Sequence, residues 1–202
     1  MSKAVLMSIQ PKWVEKIASG EKTIEVRKSR PKLETPFKCY IYATWNGNNK
    51  EILVKQDGQL FCKDWRKANG LQRASGKVIG EFVCDRIDRI GKRGINNNFD
   101  YCFLSLNEWG NDDIEIEITD IQKSCISKSE LNAYGANSSC LYAWHITDLK
   151  IYDKPKELSE FFHACKQPKG TDCSQCIDRR EKTCYSIKRP PQSWCYVELQ
   201  NG

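Results

Sequence analysis

Histidine is nearly missing from this chain: His145 and His163 are two among 202 residues. A hydrolase built on a histidine base has little to draw on, and no G-x-S-x-G elbow is present. No G-x-x-x-x-G-K-[ST] loop and no G-x-G-x-x-G fingerprint occurs, so no nucleotide cofactor is expected. No apolar run reaches the roughly 18 residues that span a bilayer, which argues against a membrane partner. The opening MSKAVLMSIQPKW lacks a long apolar stretch and a small-residue cleavage site, so no secretory signal is read and a cytoplasmic location is expected. Internal repeats are absent too, which excludes solenoids and propellers.

What is present suits one globular domain with insertions: 40% apolar residues and 29% charged. A net charge of +6 and a pI near 8.7 fit a protein that meets phosphates without coating them, and equally an ordinary lysine-rich surface. The eleven cysteines are an odd number in a chain read as unexported. They are expected as thiols and metal ligands rather than disulfides.

Local patterns give a strand at 4–7 and then a helix opened by Pro11, with Trp13, Val14, Ile17 and Ala18 on its apolar face and Gly20 as its stop. Residues 23–29 alternate as a strand, so Ile24 and Val26 should face one way and Thr23, Glu25 and Arg27 the other. An aromatic and β-branched strand is expected at 37–45. A hairpin turns at Asp57-Gly58 within a possible arm at 46–76, whose second half is basic. One long strand is expected over 77–90, with Gly80 marking a bulge or close backbone approach. Residues 91–100 read as a loop and 114–119 as a strand. Ser127 to Glu130 fits a capping box opening a helix to about Gly135. A single strand over 141–152, a helix from Pro155 to about His163 and a last strand at 193–199 complete the chain. Many short strands with two or three short helices favour an α+β class and a small β-barrel over a parallel βαβ sheet.

Between the first helix and its following strand stands Gly20-Glu21-Lys22-Thr23-Ile24-Glu25-Val26-Arg27, a G-x-K-x-x-E-x-R pattern. This segment resembles the signature of the ASCH family of the PUA-like superfamily. GKVIGEF, YAWHI and the closing RPPQSWCYV are similar to its later strands, notably in forms encoded by mobile elements. The resemblance covers most of 3–155 plus the last strand. It implies a PUA-like β-barrel whose cleft is lined by the motif, with a role in RNA metabolism. The domain reading is therefore a barrel at 1–155 with a hairpin insertion around 46–76, a helix and four-cysteine insertion at 156–190, and a closing barrel strand at 191–202.

The residues themselves suit such a role. Lys22 is a flexible cation for a phosphate, and Arg27 a planar fork for a phosphate or base edge. Glu25 can position Arg27, accept from a base amino group, or act as a general base; a surface Glu–Arg pair worth under about 1 kcal/mol is the plain alternative. In the amidohydrolase branch of the resembled family a Thr follows the Lys by three residues. Here that place is Glu25, and the nearby hydroxyl is Thr23, so a Thr nucleophile does not carry over. Trp45, Trp144 and Trp194 are candidates for base stacking or for the core. Trp194 follows the stiff Arg189-Pro190-Pro191 loop and is the preferred one. His145 reads as structural, and His163 as a helix-end or reserve metal residue.

Cys165, Cys173, Cys176 and Cys184 are spaced C-x7-C-x2-C-x7-C. Four soft ligands of this kind suit a closed structural Zn2+ site. An iron–sulfur cluster, a redox CxxC and free thiols remain the alternatives.

The overall expectation is a nucleic-acid-binding protein that recognises a nucleotide or modified base in a barrel cleft. RNA is the expected partner and DNA the alternative, with Lys22, Thr23, Glu25, Arg27, Arg189 and Trp194 in contact. Two other readings stay open: an RNA-acting hydrolase (a modified-nucleobase amidohydrolase or a ribonuclease) using Lys22 and Glu25, and a protein-interaction domain.

Overall fold

The computed structural model describes residues 3–45, 50–95, 98–106, 113–115, 122–164 and 186–199. They form two compact units. The first comprises Met1–Ala18, Lys38–Phe82 and Leu149–Gly202, and the second Ser19–Phe37 and Val83–Asp148.

In the first unit, β1 (Lys3–Ile9) lies between β3 (Phe37–Ala43), its parallel neighbour, and β13 (Trp194–Glu198), its antiparallel one. The sheet order is β12-β7-β3-β1-β13, with β7 at Val78–Cys84 and β12 at Thr147–Lys156. A strand flanked on both sides and buried on both faces needs an unbroken apolar run, and Ala4 to Met7 supply it. Leu6, Tyr40, Val78, Phe161, Ile187 and Val197 join one core cluster. Helix α1 (Pro11–Ala18) buries Pro11, Val14 and Ile17.

The hairpin of β4 (Glu51–Gln56) and β5 (Gln59–Asp64) turns at Asp57 and Gly58, whose φ values of 50° and 78° are the left-handed pair of a two-residue turn. With β6 (Gln72–Arg73) it makes a three-stranded sheet, and α1 packs against β4 and β5. Lys55 Nζ donates to the carbonyls of Tyr152 and Asp153, each at 2.8 Å. The hairpin is thus tied into its unit and does not reach out as an arm.

The second unit holds the sheet β10-β9-β8-β11-β2: β2 Ile24–Arg27, β8 Ile87–Ile95, β9 Asn98–Leu106, β10 Asp113–Glu115 and β11 Cys140–His145. One face carries Ile24, Val26, Ile90, Leu141 and Ala143, which cluster with Leu131 of α2 (Lys128–Gly135). Helix α2 begins at the expected capping box: Ser127 Oγ accepts from Glu130 N, and Glu130 reaches back to Ser127 N.

Several expectations are corrected. The small barrel is replaced by open sheets of five, five and three strands, each with two unpaired ends among the described residues. The stretch 77–90 divides into β7 and β8 of different sheets, with exposed Asp85 and Arg86 between them. The stretch 141–152 divides at Ile146 into β11 and β12, and Asp148, the second residue of β12, takes a left-handed φ of 47° that Asp tolerates. Residues 91–95 and 98–100 are not a loop. Pairing of Gly91 with Cys102 through Ile95 with Asn98 makes them strand. Pro155 opens no helix. It lies in β12, an edge strand where a missing N–H breaks no ladder, and only a 3-10 turn at Leu158–Glu160 follows. Among the described residues no helix is long and apolar enough to cross a membrane.

Candidate functional site

The G-x-K-x-x-E-x-R segment enters β2, and backbone bonds fix it on both flanks. Thr23 N and Ile24 N donate to the Lys123 carbonyl at 3.0 and 3.2 Å, and Ile146 N donates to the Thr23 carbonyl at 2.9 Å. The alternation expected of this strand does not leave its polar residues in water: Lys22, Glu25 and Arg27 are only 1%, 6% and 7% exposed. Burying three charges costs several kcal/mol each unless they are paired, and here they form a chain. Lys22 Nζ donates to the Ser124 carbonyl at 2.6 Å and lies 3.3 Å from Glu25 Oε2. Arg27 Nη2 lies 3.0 Å from Glu25 Oε1. The surface-pair alternative is thereby excluded. Two cations share one carboxylate. Glu25 Oε2 is buried and receives no hydrogen bond among the described residues.

Register brings more groups to the same face. Residues directly opposite on antiparallel strands project to one side. Tyr142 of β11 stands opposite Arg27 of β2 and Arg89 of β8, while Trp144 stands opposite Glu25. Cys140 follows two residues before Tyr142, with its Sγ 3.6 Å from Tyr142 Oη. Burial pushes the Cys140 thiol up, but the Tyr142 hydroxyl and the Arg89 guanidinium outweigh it and hold the thiol below its ordinary range. Tyr142 is raised in return, first by that bond to Cys140. Tyr134 of α2, 38% exposed, has Lys28 Nζ at 5.0 Å from its ring centroid. Burial raises its phenol, Arg27 opposes the shift and Glu25 adds to it.

Trp144 is fully buried and meets Phe37 edge-on at 5.6 Å, so it is core and not a stacking surface. Trp194 and Arg189 belong to the first unit, where Trp194 is half-buried beside Tyr196 and Arg189 is exposed. His145 is on the opposite face from Trp144, as expected, and its Nε2 lies 2.7 Å from Asp88 Oδ2, which Arg86 also meets at 3.1 Å. Cys165, Cys173, Cys176 and Cys184 lie outside the described residues. Among the described residues no group of three His, Cys, Asp or Glu could hold a metal ion.

Sequence reasoning missed Ser124, Tyr134, Arg89, Tyr142 and Cys140. The last three were within reach of a register argument on alternating strands. The Ser124 carbonyl carries no side-chain signal, and Tyr134 depends on where α2 docks.

The fold is mostly β with two helices among the described residues and of the PUA-like kind, and it carries a buried Lys–Glu–Arg chain at its first helix–strand junction. The ASCH domain profile matches residues 7–166, and the chain belongs to that family, which is generally thought to bind RNA. Among solved structures, ASCH from Zymomonas mobilis is 16% identical with a TM-score of 0.49, covering 96% of this chain and 87% of that one. A tyrosine-to-phenylalanine variant of the Zymomonas mobilis protein, 16% identical, gives a TM-score of 0.50 and covers 98% and 91%. At this identity the second likeness shows the fold alone. No curated protein matches by sequence.

Proposed function

We propose that this chain binds RNA, taking a nucleotide or modified base against the Lys22–Glu25–Arg27 cluster. The observation that carries the reading is the burial of these three charged side chains in one contiguous chain, within the segment that carries the family pattern. Glu25 Oε2 suits the amino edge of a base, as a carboxylate accepts from cytosine N4. Arg27 and Arg89 suit phosphate, and the exposed Tyr134 ring suits stacking. The hydrolase reading would use Lys22 and Glu25, whose charged ends lie 3.3 Å apart, as its acid–base pair. DNA is the alternative polymer.

The test uses full-length protein and a pool of cellular RNA, with binding and released nucleosides followed together. Variants are chosen by what each leaves buried. Lys22→Ala and Arg27→Ala each leave Glu25 one cation, whereas Glu25→Ala removes the carboxylate that both cations share. With fold verified by circular dichroism, Lys22→Ala and Arg27→Ala are expected to weaken binding by about 10- to 100-fold, the worth of a charge-assisted hydrogen bond. New products that vanish with Lys22→Ala would make the protein a hydrolase. Unchanged affinity in both variants would remove the cluster from RNA recognition.

The four-cysteine segment is proposed to hold a structural zinc ion. Cys165, Cys173, Cys176 and Cys184 are a closed set of four soft ligands, which suits Zn2+ and leaves no open position for chemistry.

A further inference from the structure

Large aromatic side chains ordinarily bury most of their surface. Among the described residues three large hydrophobic side chains stand exposed: Trp45 at 45%, Trp65 at 54% and Tyr134. Both tryptophans border the three-stranded sheet of the first unit. Trp45 follows β3, and Trp65 follows β5, its N–H donating to the Lys50 carbonyl. Each has a guanidinium alongside: Arg73 lies 3.6 Å from the Trp45 ring centroid and Arg66 lies 5.9 Å from that of Trp65. Lys63 sits 5.5 Å from the Phe61 ring. The aliphatic residues of this sheet do not join the exposed set, because Ile52, Val54 and Ala68 are buried in a cluster of their own with Phe61 and Leu71 packed on it. What surrounds the exposed rings is therefore cationic. Residues 46–76 hold six Lys and Arg (50, 55, 63, 66, 67, 73) against three acids (51, 57, 64), a net +3 out of the chain's +6.

We propose that this sheet is a second nucleic-acid contact surface, taking a flexible single strand by base stacking on Trp45 and Trp65 and phosphate contacts from Lys63, Arg66, Lys67 and Arg73. A protein partner would ask for apolar surface around the tryptophans, and here that surface is already buried. A duplex hides its base faces, whereas an unpaired strand offers a π-face at every nucleotide and a phosphate between each. The surface shares no residue with the Lys22–Glu25–Arg27 cluster and stands or falls apart from it.

The test is fluorescence anisotropy with full-length protein and labelled oligouridine and oligothymidine of about 20 nucleotides, over a range of salt. Trp45→Ala and Trp65→Ala are each expected to weaken binding by about 5- to 100-fold, and Trp65→Phe, which keeps a ring, by much less. Joint replacement of Arg66 and Lys67 by Ala should flatten the log–log salt slope by about 1.4, since each phosphate neutralised on a single strand contributes about 0.7. The two oligonucleotides decide whether RNA, DNA or either is taken. Urea midpoints report folding, and the Trp65→Phe and Arg66/Lys67 variants keep the test alive if an alanine variant unfolds. The proposal is overturned if folded Trp45→Ala and Trp65→Ala bind within twofold of the parent, or if Trp65→Phe loses as much as Trp65→Ala. It is also overturned if the parent binds neither strand at low salt. Loss confined to Lys22→Ala and Arg27→Ala would overturn this surface and leave the cluster standing; loss confined to the tryptophan variants would do the reverse.

Discussion

Two carboxylates in this protein, one buried and one partly exposed, show how the same side chain serves different ends. Glu25 sits between two cations, with one buried oxygen that receives no hydrogen bond among the described residues. Glu81 of β7 is instead fully engaged: Tyr152 Oη donates to its Oε2 at 2.6 Å and Lys38 Nζ to its Oε1 at 2.9 Å. Burial alone would raise its carboxyl, but the Tyr152 and Lys38 hydrogen bonds win and hold it below the usual range. A depressed carboxylate contributes stability that is present above the unfolded value of about 4.3 and is lost as pH falls through the folded one. Tyr152→Phe should therefore cost about 1–2 kcal/mol at pH 7, the worth of a hydrogen bond to a charge at a partly exposed site. The gap between parent and variant in urea denaturation should shrink as pH drops below about 4. A gap that is constant with pH would mean that the hydroxyl contributes without depending on the charge of Glu81.

At the scale of elements, what could be read from the sequence was what is decided locally. Pro11 opens α1, Asp57-Gly58 turns the hairpin, Ser127 with Glu130 caps α2, and the 193–199 alternation gives β13. The motif was legible in the same way, as a spacing. Its burial was not, because two-sided covering of β2 is set by distant chain. The splitting of 77–90 and 141–152 escaped notice for a related reason: apolar alternation runs on through a change of sheet, and only exposed Asp85-Arg86 and left-handed Asp148 mark it. Composition misled at 91–100, where glycine and asparagine suggested a loop, although Phe99, Tyr101 and Phe103 already carried a two-residue period. Gly80 was read correctly as a close approach, and the geometry states how close. A Cβ there would stand 2.5 Å from the Lys150 carbonyl oxygen and 3.1 Å from Ile151 Cδ1. The first of these is backbone of the paired strand β12 and cannot rotate away. Gly80→Ala is expected to cost about 2–3 kcal/mol or more, as an overpacked core position does, read from the thermal midpoint and urea denaturation. An alanine variant as stable as the parent would show that β7 and β12 can part without loss.

At the scale of the whole chain, the cysteine segment is an excursion whose two ends are held together. Phe162 bridges Ser186, Ile187 N donates to the Phe161 carbonyl at 2.8 Å, and Phe161 and Ile187 are buried in the core cluster of the first unit. The entropy of closing the chain between them is thus met by packing and pairing outside the segment, whatever the segment binds. A metal held by Cys165, Cys173, Cys176 and Cys184 would order that excursion without being required for the sheets. This separates it from small zinc modules, in which metal binding is the folding energy. Protein purified without chelator is expected to carry close to one zinc per chain by elemental analysis, and Cys173→Ser with Cys176→Ser to carry almost none. The metal-free variant should keep its β-sheet circular dichroism and its cooperative urea transition, while protease cuts within 165–184 appear at enzyme levels that leave the parent whole. Replacing Phe161 by Ala should do the opposite, lowering the urea transition by about 3–5 kcal/mol while zinc is still taken up, since it opens a cavity in the core. Iron with a visible absorption band would assign the four thiolates to a cluster instead, and a metal-free parent whose double variant is cut no faster would leave them as free thiols.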